Sequence, residues 1–198
     1  MRAGCSLVIL AGGLSRRMGR DKAALPAGDG TLIDHLARRL APVVDETIVA
    51  GGSGRHDLPG VTTVADRYPG LGPLAGIHAG LVMARSPLVW VVGCDLPDVD
   101  PGLAALLCGL AGGVDAVVPR IDSESQGVCA VYDRALAPRI DRLLAAGERR
   151  VKMLLAASNV RYVTEEELRA IDPELRSFRN LNTPADYRAW LTTRPASP

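Results

Sequence analysis

The segment Cys5-Ser-Leu-Val-Ile-Leu-Ala11 is a continuous apolar run closed by the glycine pair Gly12-Gly13. A run this short and this apolar has no face to give to water, so it reads as a strand buried on both sides, the setting of a parallel sheet between two layers of helices. The remainder of the chain has to supply those helices and the neighbouring strands.

It has the material to do so. Thr31 can cap a helix whose apolar positions Leu32, Ile33, Leu36 and Leu40 recur at helical spacing, with Arg38 and Arg39 turned to water. Residues 47–50 and 61–65 read as strands, Leu74 to Arg85 as a helix rich in small residues (Ala75, Gly76, Ala79, Gly80), and Pro87 to Val92 as a central strand. Asp100-Pro101 reads as N-cap and first position of the next helix. Strands are expected at 116–119, 128–132 and 160–163, and helices at 135–146, 150–157 and from near Pro184. Strands alternating with helices predict an α/β fold, a three-layer αβα sandwich with a Rossmann-like, mostly parallel sheet, whose ligands bind at the carboxyl ends of the strands.

Composition narrows the function classes. The 198 residues carry 23 Lys+Arg against 22 Asp+Glu, a net charge of +1 that argues against a chain built to coat nucleic acid. With 47% hydrophobic and 23% charged residues, the chain can bury a full core, and residues 1–198 are expected to form one domain with a frayed tail at Pro195 to Pro198. Cys5, Cys94, Cys108 and Cys129 make no C-x-x-C pair and read as small buried hydrophobes of a reducing compartment. The apolar run after Met1 is too brief for a secretion signal or a membrane span, so the cytoplasm is the expected location and a membrane is not an expected partner.

The loop after the first strand is Leu10-Ala-Gly-Gly-Leu-Ser-Arg-Arg-Met-Gly-Arg-Asp-Lys22. Its glycines let backbone N–H groups close on an anion, and Arg16, Arg17, Arg20 and Lys22 neutralise charge, so a phosphate-rich ligand is expected. The alternative is an exposed loop with incidental arginines. Neither a Walker A motif nor a complete G-x-G-x-x-G is present; the string from Gly52 to Asp57 lacks the last glycine. Lys22 and Lys152 are the only two lysines, and a lysine offers a compact point charge suited to a phosphoryl group that changes shape during reaction.

The pattern L-A-G-G-x-S-x-R-M-G-x-D-K, complete from Leu10 to Lys22, resembles the signature of the molybdenum cofactor guanylyltransferase family, the MobA-like nucleotidyltransferases. Val64-Ala-Asp66 with Gly72-Pro-Leu-Ala-Gly76 resembles that family's second nucleotide-contacting segment, and Cys94-Asp-Leu-Pro97 its metal-carboxylate turn. Ala146-Gly-Glu-Arg-Arg150 and Asn180-Leu-Asn-Thr-Pro184 resemble two late segments on the substrate side. The resemblance implies the fold of the nucleotide-diphospho-sugar transferases, with Leu10, Ala11, Gly12, Gly13, Lys22, Asp66 and Asp95 at the nucleotide and Arg17 and Lys22 catalytic. It implies Gly72, Gly76, Arg150, Asn180 and Asn182 at the second substrate, and Asp95 holding Mg²⁺.

The residues alone leave several of these roles open. Asp95 is either a metal carboxylate past the central strand or the cap of a turn before Pro97. Asp66 either accepts from N1–H and the exocyclic amine of guanine or opens the turn at Arg67-Tyr-Pro-Gly70. Asn180 and Asn182 alternate, so both amides point to one side, yet Asn182 or Thr183 could equally start the last helix. Arg149, Arg150 and Lys152 either meet a phosphate or form a solvated helix start; Asp98 and Asp100 read as loop and cap residues, and His35, His56 and His78 have no metal-ligand spacing. Where relatives carry an asparagine after the second strand, this chain has Ala50-Gly51-Gly52, so a nucleotide contact there comes from backbone or is lost.

The implied reaction is attack of the terminal phosphate of molybdopterin, with or without molybdenum, on the α-phosphate of GTP, expelling pyrophosphate. Partners implied are GTP, molybdopterin or Mo-molybdopterin, and beyond them molybdenum-insertion proteins and molybdoenzyme chaperones. The alternatives are a relative using CTP or a sugar-phosphate acceptor, and a non-catalytic GTP-binding factor that delivers the cofactor. All depend on Lys22 and Asp95 facing one cleft.

Overall fold

The computed structural model describes residues 4–11, 22–51 and 58–193. Gly12, Gly13, Arg16, Arg17 and Arg20, together with Gly52, His56 and the expected tail at Pro195 to Pro198, lie outside the described residues. Strand β1 (Ser6–Leu10) is buried at every position and runs parallel between β2 (Glu46–Ala50) and β4 (Leu88–Gly93), with Ser6 opposite both Glu46 and Val89. Strand β3 (Val61–Val64) adds in parallel to β2 and forms that edge of the sheet.

The pleat of β1 divides the core. Leu7 and Ile9 join one hydrophobic cluster with Ile33, Leu36 and Leu40 of helix α1 (Leu32–Leu40) and Leu103 and Leu107 of α3 (Gly102–Gly109). Val8 and Leu10 face the other cluster, with Leu74, Ile77 and Leu81 of α2 (Pro73–Met83) and Ile140 and Leu144 of α4 (Ala137–Ala145). Period-two alternation between two apolar layers is what an all-apolar strand requires, and it produces the expected αβα sandwich. Thr31 caps α1 in a reciprocal box: its hydroxyl accepts from the Asp34 amide and the Asp34 carboxylate accepts from the Thr31 amide.

Beyond β4 the sheet is mixed. Strand β5 (Ala116–Ile121) leads through the two-residue β6 (Glu124–Ser125) to β7 (Cys129–Asp133), which inserts antiparallel between β4 and β5. The link from β5 to β7 has no helix, and a parallel return needs a crossover of a dozen or more residues, so the antiparallel pairing follows from loop length. After α5 (Val151–Ala156), β8 (Val160–Val163) pairs parallel with β5; helix α6 (Glu165–Arg169) and helix α7 (Pro184–Thr193) follow. Helix α3 begins one residue later than expected, with Pro101 as N-cap, yet Asp100 still serves the helix end, its Oδ1 accepting from the Gly102 amide at 2.7 Å. The four cysteines are free thiols, three of them buried. No helix among the described residues is long and apolar enough to cross a membrane.

The small residues of α2 bring the helix onto the sheet. A Cβ at Gly80 would stand 2.6 Å from both Cγ atoms of Val8. Val8 is fully buried and its β-branched side chain is stiff, so neither partner can move aside. Gly80→Ala is expected to lower unfolding stability by about 1–2 kcal/mol even though alanine gains about 1 kcal/mol of helix propensity, because overpacking outweighs it. Denaturant melts of the two proteins check the sign.

Candidate active site at the carboxyl edge of the sheet

Backbone hydrogen bonds continue past the ends of the parallel strands and gather their exits. The Ala11 amide donates to Ala50 O (2.9 Å), the Gly51 amide to Val64 O (3.1 Å) and the Cys94 amide to Leu10 O (3.1 Å). The segments leaving β1, β2, β3 and β4 therefore start side by side, where an open α/β sheet presents its ligand-binding groups. The Gly51 amide is already used by Val64, so a backbone contact in place of the asparagine of relatives cannot come from that N–H.

Lys22 opens a short 3-10 turn and points back across this edge. Its Nζ donates to Asp95 Oδ2 at 3.3 Å and to Asn182 Oδ1 at 3.2 Å. The two charged side chains are 16% and 26% exposed, so the pair is partly shielded from water. Asp95 is held from behind, its carbonyl accepting from the Leu181 amide at 2.8 Å. The Asn182 and Thr183 amides donate to Asp186 Oδ2 while the Asp186 amide donates to the Thr183 hydroxyl. Thr183 thus caps the last helix, and the Thr183 hydroxyl and the backbone amides hold the Asp186 carboxyl below its ordinary range. The Asn182 side chain is left to reach Lys22. Asn180 is exposed, and no side-chain hydrogen bond of it is seen among the described residues.

A second corner forms around Asp66, just beyond β3. Its Oδ1 is buried and has no hydrogen-bond partner among the described residues, and burial pushes its carboxyl above the ordinary range. Gly76 of α2 faces it. A Cβ on Gly76 would stand 3.7 Å from Asp66 Oδ1, 3.0 Å from Leu10 Cδ2 and 3.8 Å from Ala50 O, so Leu10, Ala50, Gly76 and Asp66 form one closely packed cradle in which a side chain at 76 has no free space. A buried acceptor without a donor is costly for the protein alone.

The third corner is a cleft of about 490 Å³ between the start of α2 and the approach to β7, lined by Gly72, Gln126, Val128, Arg149, Arg150 and Lys152. Arg150 makes a two-pronged ion pair with Glu148 (Nε 2.9 Å, Nη2 2.6 Å), which holds the Glu148 carboxyl down to about 2. Arg150 therefore enters the cleft partly neutralised, with Arg149 and Lys152 adding positive charge.

Sequence reasoning missed the anchor behind the Asp66 corner. Asp141 of α4 gathers three side chains on one oxygen: Tyr68 OH at 2.7 Å, Arg67 Nη1 at 3.2 Å and His78 Nε2 at 3.5 Å. Burial pushes the His78 imidazole below its ordinary range, with Asp141 pulling the other way. This knot pins the stretch that follows Asp66 onto α2 and α4. Its signal in the sequence was the pairing of arginine and tyrosine directly after Asp66; the partner on α4 carried none.

The family model described as "MobA-like NTP transferase domain" matches residues 7–163, most of the chain. The chain belongs to that family. It is 40% identical over 180 residues to a "Probable molybdenum cofactor guanylyltransferase" of Pelotomaculum thermopropionicum, covering 90% of this chain and 88% of that protein. It is 34% identical to the "Molybdenum cofactor guanylyltransferase" of Syntrophotalea carbinolica, covering 96% of this chain and 92% of that one. In three dimensions it matches the crystal structure of molybdopterin-guanine dinucleotide biosynthesis protein A from Archaeoglobus fulgidus, with a TM-score of 0.81 at 28% identity over 95% of this chain and 97% of that chain. The fold expected from the sequence is thereby the fold of the family.

The cradle gives a direct test. In Gly76→Ala the near neighbour, Leu10 Cδ2, is the far end of a flexible side chain, so stability should stay within about 1 kcal/mol of wild type. Nucleotide affinity should fall about tenfold or more, since the added methyl occupies the cradle itself. Thermal melting and calorimetric GTP titration separate the two effects.

Proposed function

We propose that this protein transfers GMP from GTP to the terminal phosphate of molybdopterin and releases pyrophosphate, the step that makes a molybdopterin guanine dinucleotide. The observation that carries this reading is the meeting of Lys22, Asp95 and Asn182 at the carboxyl edge of the sheet, with Asp66, whose buried Oδ1 has no partner among the described residues, on the same edge. Kinship at 40% identity over most of the chain with a guanylyltransferase supports the choice of reaction.

The residues divide the work by chemistry. Asp66 presents acceptor oxygens to the adjacent N1–H and amino donors of guanine, a pair that adenine and cytosine do not offer. Gly76 and Leu10 leave room for the base, and Ala11 with the glycine pair that follows it shapes the phosphate cradle. The acceptor phosphate is already an anion, so no general base is needed. The protein has instead to hold two anions in line and neutralise charge growing at the α-phosphate. Lys22 supplies a point charge there, with Arg17 assigned the same task by the family pattern. Asn182 steers the lysine. Gly72, Arg150 and Asn180 border the acceptor, with the cleft beside Arg149 and Lys152 as its seat.

Asp95 is the residue that would hold a magnesium ion. Mg²⁺ keeps several waters and is commonly bound by one or two carboxylates together with substrate phosphates, so a single carboxylate at the strand exit fits it. Among the described residues no cluster of three or more His, Cys, Asp or Glu offers a fuller protein cage. When bound, the ion would neutralise phosphate charge at the reacting centre.

Turnover of Lys22→Ala, read as pyrophosphate release from GTP and molybdopterin, should fall by about 10²–10³ with the fold intact. Asp95→Asn should shift the magnesium titration of activity to higher concentration, and an unmoved titration would remove Asp95 as the ligand. For Asp66 the sign follows from its raised pKa: lowering the pH protonates the accepting carboxylate at a higher pH than an exposed aspartate, so GTP affinity should weaken earlier in acid. Asp66→Asn should abolish that acid limb and the preference for GTP over ATP in competition. It should not destabilise the free protein at neutral pH, because it removes a buried carboxylate whose ionised form is disfavoured.

A further inference from the structure

The stretch matched by the family ends at residue 163, yet both sides of the Lys22–Asp95 pair are held by residues beyond it. Helix α7 and the segment leading into it reach the turn that carries Asp95 at two points. The Leu181 amide donates to Asp95 O at 2.8 Å, and the Trp190 indole Nε1–H donates to Asp98 Oδ1 at 2.9 Å. The same helix grips the chain that follows Lys22: Tyr187 OH donates to Pro26 O at 2.5 Å, and Trp190 and Leu181 pack in a satellite core with Leu25, Ala27 and Leu32. His35 of α1 completes the frame. Its ring packs edge-on against Trp190 at 5.5 Å, and its Nε2 lies 2.9 Å from Pro97 O, a pairing in which the ring nitrogen must be the donor.

We propose that α7 is a clamp that sets the register between Lys22 and Asp95, and that Trp190 and Asp98 are positioning residues for the transfer. The proposal rests on the catalytic reading of Lys22 and Asp95 above. The sheet brings the exits of β1 and β4 together, but Leu25 lies well past the end of β1 and no ladder hydrogen bond ties it to the turn at 94–98 among the described residues, so their final spacing depends on the contacts that bridge them. Trp190 is 5% exposed and bridges both: its ring faces the Lys22 side and its N–H faces the Asp95 turn. A hydrogen bond from an indole to a half-buried carboxylate is charge-assisted and directional, so it fixes a position where packing alone would only fill space. Displacement of a charged group at a reacting centre by even 1 Å can cost on the order of a hundredfold in rate, which makes such a clamp felt in turnover.

The test uses the full chain and three substitutions. Trp190→Phe keeps an aromatic ring but loses the donor together with part of the indole's volume, Asp98→Ala loses the acceptor while leaving Trp190 in place, and Asp98→Asn keeps an acceptor oxygen. Amide hydrogen exchange is followed without nucleotide, and pyrophosphate release is followed with GTP and molybdopterin. In Trp190→Phe and Asp98→Ala, exchange at residues 94–98 and at the Leu181 amide should quicken about tenfold while β1 and β2 keep wild-type protection. In the same two variants kcat should fall about tenfold with KM for GTP within about twofold, since the Asp66 corner lies outside the clamp. Asp98→Asn should stay close to wild type in both measurements. Faster exchange with kcat intact would reduce the helix to a structural prop and overturn the proposal, as would wild-type exchange in Trp190→Phe and Asp98→Ala. A wild-type protein that releases no pyrophosphate would instead overturn the reading of the reaction, while the exchange pattern still decides whether the Asp98–Trp190 bond fixes the turn.

Discussion

A strand buried on both faces has only its ends left for chemistry, and β1 is such a strand. Its side chains are spent on two cores, so whatever the chain does with ligands begins where β1 runs out at Leu10. The backbone ladder then decides the neighbours: because β2 and β4 run parallel to β1 in matching register, Ala11, Gly51 and Cys94 emerge together. The meeting of Lys22 with Asp95 follows from that constraint. Two segments 73 residues apart in sequence are brought to one edge by strand pairing before any side chain is considered.

The edge so formed is electrically uneven. At one end Lys22 is shared between a carboxylate and an amide oxygen, acceptors of the kind that a phosphate offers, so an incoming anion meets a cation already oriented. At the other end Asp66 has a buried oxygen that no donor satisfies among the described residues. A nucleotide laid along this edge with its phosphates at Lys22 and its base at Asp66 would relieve both conditions. Under the proposed function this polarity gives the nucleotide one direction along the edge and leaves the basic cleft beside Gly72 for the second anionic substrate.

Much of this was legible in the sequence because it rested on local pattern. The apolar runs of β1 and β4 and the helical spacing behind Thr31 report which faces are buried, and the exits of parallel strands then locate the ligand edge. Helix α6 could have been read as well: Thr164 and Glu167 form a capping box whose spacing is visible in the chain, but the helix is too short for apolar periodicity to show. Strand β6 could not. Its turn places Asp122 and Ser123 at φ of 48° and 66°; aspartate suits the first position, but serine stands where the glycine that marks such turns is expected. The Asp141 knot and the Trp190–Asp98 bond were also out of reach, since each joins residues far apart in sequence and periodicity reports a face rather than the partner across it.

The edge strand β3 is four residues long, pairs only with β2 and is partly open to water. The segment that bears Asp66 is secured by Asp141 on a helix. On the proposed assignment, the base end of the site hangs largely from an edge strand while the phosphate end rests on the innermost strands, so a substitution near Asp66 should disturb the sheet less than one at the exits of β1 or β4.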